Sequence, residues 1–204
     1  MKNVETLPNG IEVVYAFGEI TDPESKKILF LAGTTPWNSN LVEDSWRRYF
    51  LRLIGGINFD NRNIVVCVPE PQFGKFTGRS DRHLIEWETE CLDLSNVHAY
   101  WLNTYWTREQ AVLDCNAESA KYFSDGSEAN IGVTVRAELG CSFGRYKFCS
   151  GEFAVVVGAP HDAQGLAWLH IQSMLMEIPI YTLYNKSEVL DKEWFSRIVK
   201  ELSS

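Results

Sequence analysis

The side chains with chemical potential in this sequence are carboxylates, hydroxyls and amides. Glu138 stands in the stretch Val133 to Gly140, directly before Leu139-Gly140, with Arg136 two residues ahead of it. Gly33-Thr34-Thr35 follows an apolar run at once and leads to Trp37. Glu70 and Asn103 each follow a further apolar run, and Trp87-Glu88 precedes the last of these. Such a set suits a glycosidic bond. Cleavage develops oxocarbenium charge that one carboxylate can stabilise or attack, while a second acidic group serves the leaving base or the attacking water. A small-residue turn lets backbone N–H groups and hydroxyls approach a sugar or a phosphate.

Other chemistries lack their motifs. There is no dinucleotide GxGxxG after a strand, no P-loop and no GxSxG elbow. The five cysteines, Cys67, Cys91, Cys115, Cys141 and Cys149, are an odd number without a CxxC pair, which predicts reduced thiols. The four histidines, His83, His98, His161 and His170, have no paired spacing, so no metal and no cofactor is expected, and His98 reads as a packed strand residue. A net charge of -8 argues against a general nucleic-acid binder. The one local basic concentration, Lys75, Arg79 and Arg82, falls in the loop from Gln72 to Arg82 and reads as solvated charge or as a substrate-facing lid. Met1 to Gly10 has no apolar core of signal-peptide length, and no run reaches the roughly 20 apolar residues of a membrane span. A soluble, cytoplasmic protein without a membrane partner is expected.

The elements that must position these residues follow from hydrophobic pattern. With 204 residues and 45% apolar content, one domain is the default. Residues 3 to 20 read as a β-hairpin turning at Pro8-Asn9-Gly10. Buried strands are predicted at Ile28 to Ala32, Asn63 to Val68, Val97 to Leu102, Glu152 to Val157 and Ile178 to Leu183. Between them lie predicted helices. The first is capped by Asp44 or Ser45, with Trp46, Tyr49, Phe50, Leu53 and Ile54 on its apolar face and Gly55-Gly56 at its end. The second, His83 to Leu94, buries Leu84, Trp87, Cys91 and Leu94. Further helices carry Glu138 with Phe143, run from Ala163 to Glu177 behind an Asp162 cap, and run from Lys186 to Leu202 with Val189, Trp194, Ile198 and Leu202 on one side. Residues 103 to 130 are long for a connection, which suggests a functional cover or an oligomer contact. The fold expected is a single-domain α/β protein with a five-stranded parallel sheet, flavodoxin-like or Rossmann-like. An N-terminal hairpin extension, 1-27, precedes the 28-204 domain, which carries the 103-130 insertion.

The order of these pieces carries a resemblance. Ala32-Gly33-Thr34-Thr35 with Trp37, then Ile85 to Thr89 with Leu92, then the strand from 97, then Thr134, Arg136 and Glu138-Leu139-Gly140, resembles the nucleoside 2-deoxyribosyltransferase-like family over about residues 28 to 183. The resemblance implies that Glu138 is the nucleophile, attacking the anomeric carbon of a nucleoside to give a glycosyl-enzyme intermediate. It places Gly33, Thr34 and Thr35 at the sugar or phosphate, with the Trp87-Glu88 segment also matching. Relatives commonly have Ala-Asp where this chain has Ser95-Asn96, so the acid that assists the leaving base would have to be Asp93, Glu70 or Glu88. A homo-oligomer is implied as well, with Trp106 and Trp194 as candidate contacts.

The function expected is therefore N-glycosyl transfer or hydrolysis on a nucleoside or nucleotide, with Glu138 catalytic. Gly33, Thr34, Thr35, Trp37, Glu70, Trp87, Glu88, Asn103 and Arg136 are expected to bind substrate. Two alternatives stay open. One is a nucleotide-binding or interaction module without turnover; the other is a glycohydrolase of NAD similar to TIR-type domains.

Overall fold

The structure, a computed structural model, describes residues 3–34, 45–60, 62–73, 82–103, 133–149, 153–163, 166–185 and 187–204. Its strands are β1 Val4–Thr6, β2 Glu12–Tyr15, β3 Lys27–Gly33, β4 Ile64–Val68, β5 Val97–Trp101, β6 Ala154–Pro160 and β7 Ile180–Leu183. The helices among the described residues are α1 Trp46–Ile54, α2 Arg82–Leu94, α3 Val133–Phe148, α4 Ala167–Met176 and α5 Lys192–Ser203. All seven strands form one sheet in the order β1-β2-β4-β3-β5-β6-β7. Only β1 and β2 pair antiparallel; every other pairing is parallel.

The expected five strands become seven because the hairpin does not stand apart. β2 docks in parallel on β4, Val13 opposite Val66 and Val14 opposite Cys67, so the hairpin supplies a strand to the main sheet. Its second strand reads Glu12-Val-Val-Tyr15, and Val13, Val14 and Tyr15 are all buried. That burial is the signature of a strand covered on both faces.

Alternation along the strands divides the core in two. Leu29, Leu31, Val66, Val68, Ala99, Trp101 and Val156 face α1 and α5, where they meet Trp46, Phe50, Ile54, Trp194 and Ile198. Ile28, Phe30, Ala32, Val65, Cys67, Tyr100 and Val157 face α2, α3 and α4, where they meet Leu84, Trp87, Cys91, Leu139, Phe143 and Leu169. Gly158 makes the first layer possible. A Cβ there would stand 2.6 Å from both Trp101 and Trp194, whose rings lie 5.1 Å apart.

Several helix boundaries differ from expectation for identifiable reasons. Asp162 does not cap α4; the helix starts at Ala167, with Leu166 in the cap position and no side-chain bond. α5 starts later than Lys186, at Lys192, because the Asp191 carboxylate accepts from the Trp194 N–H at 2.8 Å. Leu53, Leu94 and Val189 are exposed; Leu51 and Leu92 take the buried places expected of Leu53 and Leu94, and Leu190 is buried beside Val189. Trp194 is fully buried, which assigns it to packing. Trp106 lies outside the described residues, as does nearly all of the 103-130 stretch, of which only Asn103 is described.

Candidate active site

The strand order sets where a site can form. From β3 the chain crosses to β4 on one side, while β5 pairs on the other, so the carboxyl ends of β3 and β5 border a topological switch point. Gly33 is opposite Trp101 there, and the β3–β4 register, continued past the strand, brings Glu70 level with Gly33. Gly33 has φ +149°, and a Cβ on it would overlap the Trp101 carbonyl, so the end of β3 requires glycine. One residue on, the Thr34 hydroxyl donates to the Asn103 carbonyl at 3.0 Å and ties the two strand ends together.

Beneath this turn lies an arginine. Arg47, in the first turn of α1, is 0% exposed, as is Glu70. Its Nε donates to the Leu31 carbonyl at 2.9 Å and its Nη2 to the Gly33 carbonyl at 2.7 Å. Its Nη1 reaches the Thr34 carbonyl at 3.2 Å and Glu70 Oε1 at 2.6 Å. The planar fork of donors explains why arginine fits here and lysine would not. Ser45 serves two ends at once: its Oγ accepts from the Arg47 N–H at 3.3 Å as the α1 cap and donates to Glu70 Oε1 at 2.8 Å. Glu70 Oε2 is buried and has no hydrogen-bond partner among the described residues.

Two further carboxyls face this charge from the other side of the sheet. Glu138 on α3 and Glu88 on α2 are both half-buried. Burial, then the negative charge of Glu88, pushes the Glu138 carboxyl up to about 8, with the Arg47 charge opposing. Burial likewise raises Glu88, again against Arg47. The three groups form one electrostatic set: two carboxyls that disfavour each other's ionisation and one cation that favours it.

α3 is held in place by a buried network. Ser142, one turn after Glu138, shares its Oγ with Tyr100 Oη at 2.8 Å and His98 Nδ1 at 2.8 Å, and His98 Nε2 meets the Leu92 carbonyl at 2.9 Å. Burial lowers His98 to about 4, so the ring is neutral at ordinary pH and acts as part of the packing.

The expected site residues therefore divide. Glu138 and Glu88 share an electrostatic field with Arg47, while Gly33, Thr34, Glu70 and Asn103 gather at the switch point. Arg136 lies in the first turn of α3, partly buried. Trp87 is buried, and its indole N–H donates to the Gly18 carbonyl at 2.7 Å, so it serves the core under α2. Thr35 and Trp37 lie outside the described residues, as do Lys75 and Arg79 of the basic loop; Arg82 pairs with Glu86 at 2.7 Å on an exposed face.

Position 96 changes meaning. Asn96 precedes β5 and so sits at the amino edge of the sheet, where its Oδ1 accepts from the Ile28 N–H at 2.8 Å and its carbonyl from the Ala154 N–H at 2.8 Å. It joins strand starts at the edge opposite the switch point. Asp93 is also removed from the candidates: it is exposed and bonded to Arg145 at 2.7 Å. Glu70 is bonded through Oε1 to Arg47, so of these three carboxyls Glu88 is the one that acts electrostatically on Glu138.

Arg47, Ser45 as a Glu70 partner, and Ser142 are functional candidates that motif reading passed over. Arg47 did leave a signal. A cation in the first turn opposes the helix dipole, so its presence there calls for a specific anion. Scanned against known protein families the sequence matches no family profile, and a search of curated proteins returns no match.

Proposed function

We propose that this chain is an N-glycosyl enzyme of nucleosides or nucleotides, related in fold and mechanism to the nucleoside 2-deoxyribosyltransferase-like proteins. What supports the reading is that Glu88 and Glu138, each raised by burial and Glu138 further by Glu88, share the charge of Arg47, which bonds the Gly33 and Thr34 carbonyls at the end of β3. The inner strands, renumbered from β3 as the first, run 2-1-3-4-5, the order of flavodoxin-like sheets, which bind ligands at this place.

In this reading ionised Glu138 attacks C1′, a C–O bond forms, and the N-glycosidic bond breaks with its electrons going to the base. The departing base takes up its proton from water, because Glu88 is already ionised when Glu138 loses its proton. In the second half, Glu88 as carboxylate takes a proton from water or from an incoming base, which attacks C1′ and frees Glu138. Thr34, whose hydroxyl donates to the Asn103 carbonyl, lies at the strand end where the sugar would bind.

A panel of deoxynucleosides, ribonucleosides, their monophosphates and NAD, assayed for free base, tests this directly. Base release is expected from a nucleoside or nucleotide, and loss of at least about 100-fold in Glu138→Gln; release that persists in Glu138→Gln overturns the mechanism. Nicotinamide as the only base released would instead favour NAD cleavage.

A second reading, nucleotide binding without turnover, draws on the same carboxyl. While protonated, Glu138 can donate a hydrogen bond but cannot attack. A thermal shift with nucleotides and no free base would select it. Self-association also belongs to the proposed function. It is supported by an uncharged stripe on α4, where Ile171, Met174 and Leu175 are exposed.

A further inference from the structure

We propose that Arg47 is the positioning residue of this site: its guanidinium fixes the turn behind β3 through three carbonyls, and its charge is the counter-ion of the Glu88 and Glu138 carboxyls. The positioning half rests on the glycosyl-enzyme reading; the counter-ion half does not depend on it.

Geometry comes first. A fully buried guanidinium that spends its donors on the Leu31, Gly33 and Thr34 carbonyls fixes the direction of consecutive peptide groups at the end of β3. Carbonyls drawn inward leave the turn's outer side to its N–H groups and hydroxyls, the groups a sugar or phosphate would meet. The ring of Trp46, 4.7 Å from the guanidinium carbon, closes the apolar side.

Electrostatics comes second. A buried cation is costly unless paired, and one carboxylate, Glu70, already pairs it at 2.6 Å. Glu138 lies one turn before Ser142, whose Oγ meets Tyr100 Oη at 2.8 Å, and Tyr100 is opposite Ala32, next to the Gly33 carbonyl that Arg47 holds, so the start of α3 lies over the strand end that Arg47 braces. Among the described residues, Glu88 from α2, Arg47 from α1 and Tyr100 from β5 interact with Glu138, and Arg47 favours its ionised form.

The test reads the Glu138 carboxyl by NMR in ¹³C-glutamate-labelled full-length protein, with the resonance assigned through Glu138→Gln. The native midpoint is expected at about 8. Arg47→Met should raise it by about 1 pH unit or more. Because that variant strands a buried carboxylate, the double variant Arg47→Met with Glu70→Leu provides a second measurement; replacing both partners by apolar groups keeps such cores folded. A midpoint no higher than native in the folded variants overturns the counter-ion role. Arg47→Lys keeps the charge without the fork, so its midpoint should stay near native while base release falls about tenfold or more. Native base release in Arg47→Lys overturns the positioning role. Absence of base release from the native chain would refute the glycosyl-enzyme reading, and the titration would still decide the counter-ion.

Discussion

Glu138 faces opposing demands. To attack C1′ it must be ionised, yet burial and Glu88 keep its proton on up to about 8. If ionised Glu138 is the nucleophile, kcat/KM for base release should rise with pH and level off above about 8; a profile that falls through this range would make Glu138 the proton donor. Stability follows the same group. The folded value lies above the ordinary 4.5, so the folded chain holds the proton more tightly than the unfolded chain, and stability should decline as pH rises from 4.5 to about 8. Denaturant midpoints in Glu138→Gln should lose that slope. At this scale the sequence revealed residue types well: glycine before threonine at a strand end, and a carboxylate early in a helix. It did not reveal Arg47, whose importance lies in carbonyls of another element, or the neutral role of Asn96, which depends on which sheet edge it occupies.

Elements position these residues, and α3 depends most on one hydroxyl. Ser142 joins His98 and Tyr100 of β5, so helix rotation and the direction of Glu138 are linked. Ser142→Ala would leave a buried phenol and an imidazole nitrogen each short of a partner. A loss of roughly 1–3 kcal/mol in denaturant-derived stability is expected, together with reduced base release that added substrate does not restore. His98 gives the network a pH limit. Its folded value, about 4, lies below the ordinary 6.5, so the stability it confers is present above 6.5 and is lost as pH falls toward 4. The helices were legible from spacing, since Leu139 and Phe143 lie in the core as their period requires. Boundaries were less so: α4 and α5 begin several residues late because tertiary packing and the Asp191 cap, rather than the nearest polar residue, decide where a helix starts.

For the whole molecule, the double-sided core was legible because continuous apolar strands can only be buried on both faces. The hairpin's true place was not, because Glu12-Val-Val-Tyr15 fits an outer ribbon as well as a parallel partner of β4, and only the pairing decides. Among the described residues no helix is long and apolar enough to cross a membrane, and α4 presents an exposed apolar surface. Ile171 is 54%, Met174 74% and Leu175 70% exposed, three residues on one helical stripe, and α4 carries no Asp, Glu, Lys or Arg. Two copies with a net charge of -8 repel unless they meet where acidic groups are absent, and α4 offers such a face. A second copy of the chain is therefore the expected occupant. Sedimentation velocity should show a native species larger than one chain and a single chain for Met174→Glu, with far-ultraviolet circular dichroism unchanged. A native chain that sediments as one copy would refute self-association through α4. Base release lost along with assembly in Met174→Glu would mean that a neighbouring copy completes the site, whereas full release from the single chain would place every reacting group within one copy.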